Sequence, residues 1–175
     1  MNTVLTKSFF KRSAPIVAQE LLGKYLVRKG AGKETILMIT ETEAYEGPCD
    51  TASHAHAGKT RRNTPMFADA GIFYVYLCYG MYWMLNVVTG EEGYPAAVLI
   101  RGTEGVKGPG RVTKYLSINK NFTGEPASRK TGLWFEDRGT KIQRWVIKRT
   151  PRIGVEYAGK KWAKKPWRFV LFKKI

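Results

Sequence analysis

Apolar and polar positions recur along this chain with two different periods, and the changes from one period to the other delimit its elements. In "RSAPIVAQELLGKYLVRK", Ile16, Val17, Leu21 and Leu22 fall at helical spacing behind Ser13, with Pro15 in the first turn and Gly23 as a stop. The pattern predicts a short helix capped by Ser13 and followed by a strand. From Thr35 to Tyr45 the residues are largely β-branched or apolar, with no Gly or Pro before "EGP" at 46–48, which predicts a strand entering a loop. A period of two puts Leu37, Ile39, Glu41, Glu43 and Tyr45 on one face, so two carboxylates prolong an apolar stripe.

Residues 46–70 are mostly small and polar, with "AHAGKTRRNTP" in the middle, and predict a long loop, a feature that is more often functional than idle. Phe73 to Leu77 then reads as a strand, Tyr79-Gly80 as a tight reversal and Tyr82 to Val88 as the return strand. "YPAAVLIRGTEG" supplies another strand, ending at Arg101. "VKGPGRVTKYLSI" is a Gly-Pro-Gly loop leading into a helix, whose free amides suit a phosphate; it lacks the Gly-Lys-Ser/Thr of a nucleotide-triphosphate loop. Further strands are expected over 132–137, 144–155 and 166–173. Many strands, few helices and no repeat or linker predict an α+β fold in a single domain spanning residues 1–175.

Charge changes this picture. Thirty Lys and Arg against fourteen Asp and Glu leave a formal net charge of +16, which favours polyanions, nucleic acid first among them. No amphipathic anchor points to a membrane, and the apolar run Ile72–Val88 is short for a bilayer span and interrupted by tyrosines, Gly80 and Asn86. Two cysteines, Cys49 and Cys78, make no disulfide framework and the start resembles no signal peptide, so an intracellular protein is expected. The acids are concentrated: residues 34–58 carry Glu34, Glu41, Glu43, Glu46 and Asp50 with no Lys or Arg, whereas residues 141–175 hold twelve basic residues and Glu156.

Within this frame three groups of side chains could carry chemistry. Phe73, Tyr74, Tyr76, Tyr79, Tyr82 and Trp83 crowd one hairpin; core packing explains many of them, but both faces carry aromatics. Rings left outside beside a basic surface serve as stacking platforms or wedges for bases, with Tyr79 at the tip placed as a wedge. His54 and His56 lie near Cys49, but C-x4-H-x-H matches no common zinc spacing, so no metal is expected and His54 is better read as a stacking or hydrogen-bonding group. For the glutamates, plain charge balance competes with catalysis. A carboxylate repels nucleic acid unless chemistry needs it, and hydrolysis of a sugar–base bond does: an anion stabilises an oxocarbenium-like centre and activates water.

Taken together, "LLGKYL", "ETEAYEGPCDTASHA", "RRNTPMF", "FYVYLCYGMYWMLNV", "AAVLIRGTEG", "GPGRVTKYLSINKNF", "PRIGV" and "KPWRF" resemble, nearly end to end, the alkyladenine (3-methyladenine) DNA glycosylase family of mammals and bacteria. The resemblance implies a curved antiparallel sheet with a protruding aromatic hairpin. It implies a monofunctional enzyme that flips alkylated or deaminated purines such as 3-methyladenine, ethenoadenine or hypoxanthine out of duplex DNA and leaves an abasic site, with no cofactor. Glu43 then matches the base that activates water and Arg101 an arginine beside it. Tyr45 and His54 match one wall of the base pocket, Tyr76 the other, Asn86 the residue that crowds the amine of guanine, and Tyr79 the residue inserted into the gap. Damaged double-stranded DNA is the partner and a monomer is expected. Arg61 where relatives often have proline, a loop one residue shorter, and Cys49 at an often acidic position depart from the pattern. A non-catalytic RNA or single-strand binding domain would explain the charge and the tyrosines but not Glu43, and a zinc-dependent hydrolase would use His54 and His56.

Overall fold

In the computed structural model, residues 2–30, 32–140 and 146–172 are described. In chain order the elements are β1 (Thr3–Val4), α1 (Lys7–Phe10), α2 (Ala14–Glu20), β2 (Tyr25–Gly30), β3 (Lys33–Glu46), β4 (Phe73–Cys78), β5 (Tyr82–Val88), β6 (Ala96–Thr103), β7 (Val106–Lys107), α3 (Pro109–Tyr115), β8 (Leu133–Asp137), β9 (Ile147–Thr150), α4 (Gly159–Ala163) and β10 (Arg168–Leu171). The sheet runs β1-β8-β2-β3-β6-β5-β4, with β7 on β6 and β10 on β3, and its strand pairs are antiparallel. The architecture is α+β, dominated by the sheet.

The fourteen residues of β3 organise it. Its first half pairs with β2, from Gly30 opposite Lys33 to Tyr25 opposite Met38, and its second half pairs with β6 on one side and β10 on the other. The basic tail, remote from the acidic stretch in sequence, thus returns beside it, with Arg168 opposite Glu43 and Val170 opposite Glu41. Of the strand expected over 144–155, residues 144 and 145 lie outside the described residues, and Ile147–Thr150 forms β9.

Helix α2 packs Ala14, Val17 and Ala18 into a core that also holds Leu21, Ile39, Phe73 and Ile100. Val17 is buried within the helix and Leu21 and Leu22 just beyond it, before Gly23 at φ 78, whereas Ile16, expected on the same apolar face, is half exposed. The cap also departs from expectation: the Ser13 side chain makes no capping bond, and the Ala14 amide donates to the carboxylate of Glu46 instead. An acid near free helical amides is favoured by the same electrostatics that favours a serine cap. One acid of the 34–58 stretch therefore has a structural partner.

The face expected for β3 changes halfway. Ile39 is buried in the same core as Ala44, and the Thr42 hydroxyl donates to the Ala18 carbonyl at 2.7 Å, so Ile39, Thr42 and Ala44 all point toward α2. The register against β6 shifts between Ile39 and Glu41 and again between Glu41 and Thr42, leaving Thr40 and Arg101 as extra residues. An inserted residue inverts the alternation beyond it. Glu41, Glu43 and Tyr45 do share a face, but it lies opposite the one that Leu37 and Ile39 pack.

Candidate active site

Glu43 has no exposed surface, yet it is surrounded by donors. Its Oε1 accepts from the Ile153 amide at 2.8 Å, and its Oε2 accepts from the Tyr45 hydroxyl at 3.0 Å and from Arg101 Nη1 at 3.3 Å. Burial pushes its pKa above the ordinary carboxylate value, opposed by Arg101, the Ile153 amide and the Tyr45 hydroxyl. Burial also pushes the Tyr45 phenol well up, and Glu43 adds to it, so Tyr45 is a neutral donor.

Arg101 reaches Glu43 because it is the extra residue in β6, where the irregular register turns its side chain to the Glu41–Glu43 face. Its Nε donates to Glu41 Oε1 at 3.0 Å, an oxygen that also accepts from Arg168 Nε at 2.6 Å. The carboxylates and guanidiniums alternate in one row, Arg168, Glu41, Arg101, Glu43.

The Ile153 amide is held in place by its neighbour. Arg152 is buried and makes a two-pronged ion pair with buried Asp50, while Nη1 also donates to the Ala44 carbonyl at 2.9 Å. Its guanidinium lies 4.8 Å from the centre of the Tyr45 ring and 5.3 Å from that of Trp167. Arg152 thereby ties the loop after β9 to the end of β3, and its successor supplies the amide to Glu43.

The other wall comes from the hairpin of β4 and β5, and here the two aromatic faces separate. Phe73 and Val75 enter the main core, whereas Tyr74 packs in a second cluster with Tyr76 against it. The Tyr74 hydroxyl lies 3.0 Å from His54 Nδ1, and the Tyr76 ring meets His54 edge-on at 4.6 Å between centroids. Although residue His54 is exposed at its outer edge, its ring packs against both tyrosines, and desolvation followed by the Arg62 charge lowers its pKa. Burial raises the Tyr74 phenol to about 12 and the Tyr76 phenol further. Asn86, buried on β5, donates its amide to the carbonyls of Tyr74 and Met84.

Tyr79 is 86% exposed, so packing does not hold it, and it sits at φ 50 followed by Gly80 at φ 70. The Met81 amide closes this reversal on the Cys78 carbonyl at 3.1 Å. A bulky residue in the left-handed region is rare and costly, which marks the tip as a place where function outweighs local preference.

A cavity of about 460 Å³ joins these pieces. Tyr45, His54, Tyr76, Tyr79, Asn86 and Arg101 all line it, and Glu43 lies directly behind, touching it through Tyr45, Arg101 and Ile153. All seven residues expected from the sequence are thus in one place, with one adjustment. Stacking a base between two rings takes about 7 Å between them, and the edge-on contact leaves no such slot between His54 and Tyr76. Sequence reading missed Asp50, Arg152, the Ile153 amide and Tyr157, whose hydroxyl donates to the Ala52 carbonyl beside the cavity. "PRIGV" contains two of them, but a backbone donor leaves no mark in composition. His56 Nδ1 contacts the Pro48 carbonyl, away from His54, and among the described residues no group of three or more His, Cys, Asp or Glu could hold a metal ion. A larger cavity of about 510 Å³ between α2 and β9–β10 holds none of these groups. Among the described residues no helix is long and apolar enough to cross a membrane.

Comparison with known proteins identifies a family for the chain. The family model described as Methylpurine-DNA glycosylase (MPG) matches residues 8–107 and 104–174. A protein of Anaeromyxobacter sp. (strain Fw109-5) is 44% identical over 174 residues, covering 95% of this chain and 88% of its own. One from Methanocella arvoryzae is 42% identical over 186 residues, covering 95% and 91%, and one from Ehrlichia chaffeensis is 41% identical over 178 residues, covering 96% and 93%. All three carry the name "Putative 3-methyladenine DNA glycosylase".

Proposed function

Because the chain belongs to the methylpurine-DNA glycosylase family, and is therefore a DNA glycosylase that hydrolyses N-glycosyl bonds, we propose that it flips alkylated or deaminated purines out of duplex DNA and that Glu43 activates the attacking water. The observation that carries this reading is a carboxylate with no exposed surface, held by three donors behind an aromatic cavity. A charge-balancing glutamate would sit in solvent; burial alone also suits a structural acid such as Asp50, and what sets Glu43 apart is its place behind the aromatic cavity.

An ionised carboxylate offers roughly four lone-pair sites. Glu43 fills two on Oε2 and one on Oε1, so one lone pair of Oε1 remains, and because the side chain has no exposed surface a water reaches it only when Tyr45, Arg101 or the Ile153 loop moves aside. That water gives its proton to Glu43 as its oxygen bonds to C1′, and the purine departs with the electrons of the glycosidic bond. Burial raises the proton affinity of the carboxylate toward what a general base needs, and its charge stabilises the cationic sugar at the transition state. No cofactor takes part.

The remaining residues bind and orient. Tyr45 and Tyr76 offer ring faces to the extruded purine, His54 lies against its edge or shifts to stack, and Asn86 guards the far end. Tyr79 enters the helix where the nucleotide has left, which fits an exposed ring on a turn that local preference would give to a smaller residue. The test is a duplex carrying one hypoxanthine, ethenoadenine or 3-methyladenine, incubated with the protein in EDTA and then treated with alkali. Strand scission should appear only after alkali. Scission without alkali, or none with any of the three lesions, would defeat the proposal.

A further inference from the structure

We propose that Glu41 is a positioning residue that tunes Glu43 by competing with it for Arg101. This rests on the reading of Glu43 as the base. An arginine held between two carboxylates divides its charge and its position between them, and moving closer to one lengthens its contact with the other. Here its Nε is committed to Glu41 at 3.0 Å, and Glu43 receives one terminal amine at 3.3 Å. Were Arg101 free, it could turn both prongs onto Glu43. That would hold the carboxylate in its charged form and make it a poorer acceptor for the proton of water.

The local structure is built around this division. Thr40 and Arg101 are the extra residues in facing strands, and together they bring Glu41 and Arg101 onto the same face. The next residue of β6 is Gly102, where a Cβ would lie 3.2 Å from the Glu41 Cβ and 3.4 Å from its Oε2. The sheet thus leaves room for this carboxylate where most residues would press on it. Glu41 is in turn held from the other side by Arg168 Nε, and Arg168 Nη1 donates to the Thr150 hydroxyl at 3.1 Å. Arg168 therefore sets how much of the Glu41 charge remains for Arg101.

The groups facing Glu43 are few. Tyr45 and Glu41 come from its own strand, Arg101 from β6 and the Ile153 amide from the loop after β9. Tyr76 lies across the cavity on β4, Arg168 on β10, and Arg152, neutralised by Asp50, behind the Tyr45 ring. Glu41 and Glu43 repel, which favours protonation of Glu43, the same direction as the competition for Arg101.

The test measures single-turnover base release against pH in wild type, Glu41→Gln and Arg168→Gln. Glutamine keeps an acceptor for Arg101 but removes the charge. Glu41→Gln should move the acidic limb of the profile down by roughly 0.5–1 pH unit and slow release on the plateau about three- to tenfold, as a weaker base should. Arg168→Gln should move the limb the other way, because Glu41 then gives its whole charge to Arg101. An unmoved limb in both variants overturns the inference, even if Glu41→Gln is slow, since a loss without a shift is what mere structural damage produces. Should Glu41→Gln fail to fold, the upward shift in Arg168→Gln decides alone. Glu43→Gln is measured alongside: activity retained there sinks the assignment of the base, whereas activity lost there with unmoved limbs sinks only the role of Glu41.

Discussion

Replacing Asp50 by Ala should destabilise the protein severely and displace the amide that Glu43 depends on. Asp50 makes two charged bonds to Arg152 and accepts the amides of Glu46 and Ala52 at 3.2 and 3.1 Å. Both side chains of the pair are fully buried, and Arg152 Nε already has no hydrogen-bond partner among the described residues. Among the described residues the guanidinium would then retain only the carbonyls of Ala44 and Trp162. Breaking a buried pair from one side typically costs about 3–5 kcal/mol, because the surviving charge stays desolvated. For a protein of this size that corresponds to a fall in Tm of roughly 6–20 °C. Urea unfolding of Asp50→Ala, Arg152→Met and the double variant measures it. The double variant should be less destabilised than the sum of the singles, since removing both partners strands no charge. A single-variant loss under about 1 kcal/mol, or strict additivity, would show that Asp50 and Arg152 do not act as a buried clamp.

Asparagine tolerates the left-handed backbone of position 79, so Tyr79→Asn should leave Tm unchanged within a degree or two while slowing base release, most of all opposite a stable pair. A large loss of Tm, or undiminished release, would place Tyr79 in the fold rather than on DNA. Glu43 also makes a signed prediction for stability. Its pKa is raised on folding, so its contribution is fully present below the ordinary carboxylate value and is lost as pH rises through the folded value. The stability of wild type relative to Glu43→Gln should therefore decline from about pH 4 toward neutrality. Thermal unfolding across that range tests the sign, and a difference that grows with pH contradicts it.

Much of the site was legible because its residues sit on short elements with clear periods. The pattern of 73–88 predicts two strands joined at Tyr79-Gly80 with aromatics on both faces, and in the structure Tyr74 and Tyr76 pack apart from Phe73 and Val75. Period two also grouped Glu41, Glu43 and Tyr45 correctly. It erred on their relation to Leu37 and Ile39, because an extra residue in a strand has no signature in composition. Glu41, Glu43 and Glu46 looked alike in sequence and proved to be held in three different ways. Glu46 meets an amide of α2 thirty-two residues away, Glu41 lies between two arginines, and Glu43 is sealed behind the cavity. These differences come from long-range pairings, β10 on β3 above all, which local patterns do not encode. The resemblance to a family pointed to Glu43 and its neighbours, but not to Arg152, Asp50 or the Ile153 amide that hold the carboxylate in place.

Base release and binding measured together in Glu43→Gln test the central claim most directly. On a duplex with a single hypoxanthine or ethenoadenine, with enzyme in excess, the variant should bind within a few-fold of wild type. Its release of the base should fall by about 10²–10⁴, the span expected for a lost general base. Release within a few-fold of wild type by a folded, DNA-binding Glu43→Gln protein would contradict it.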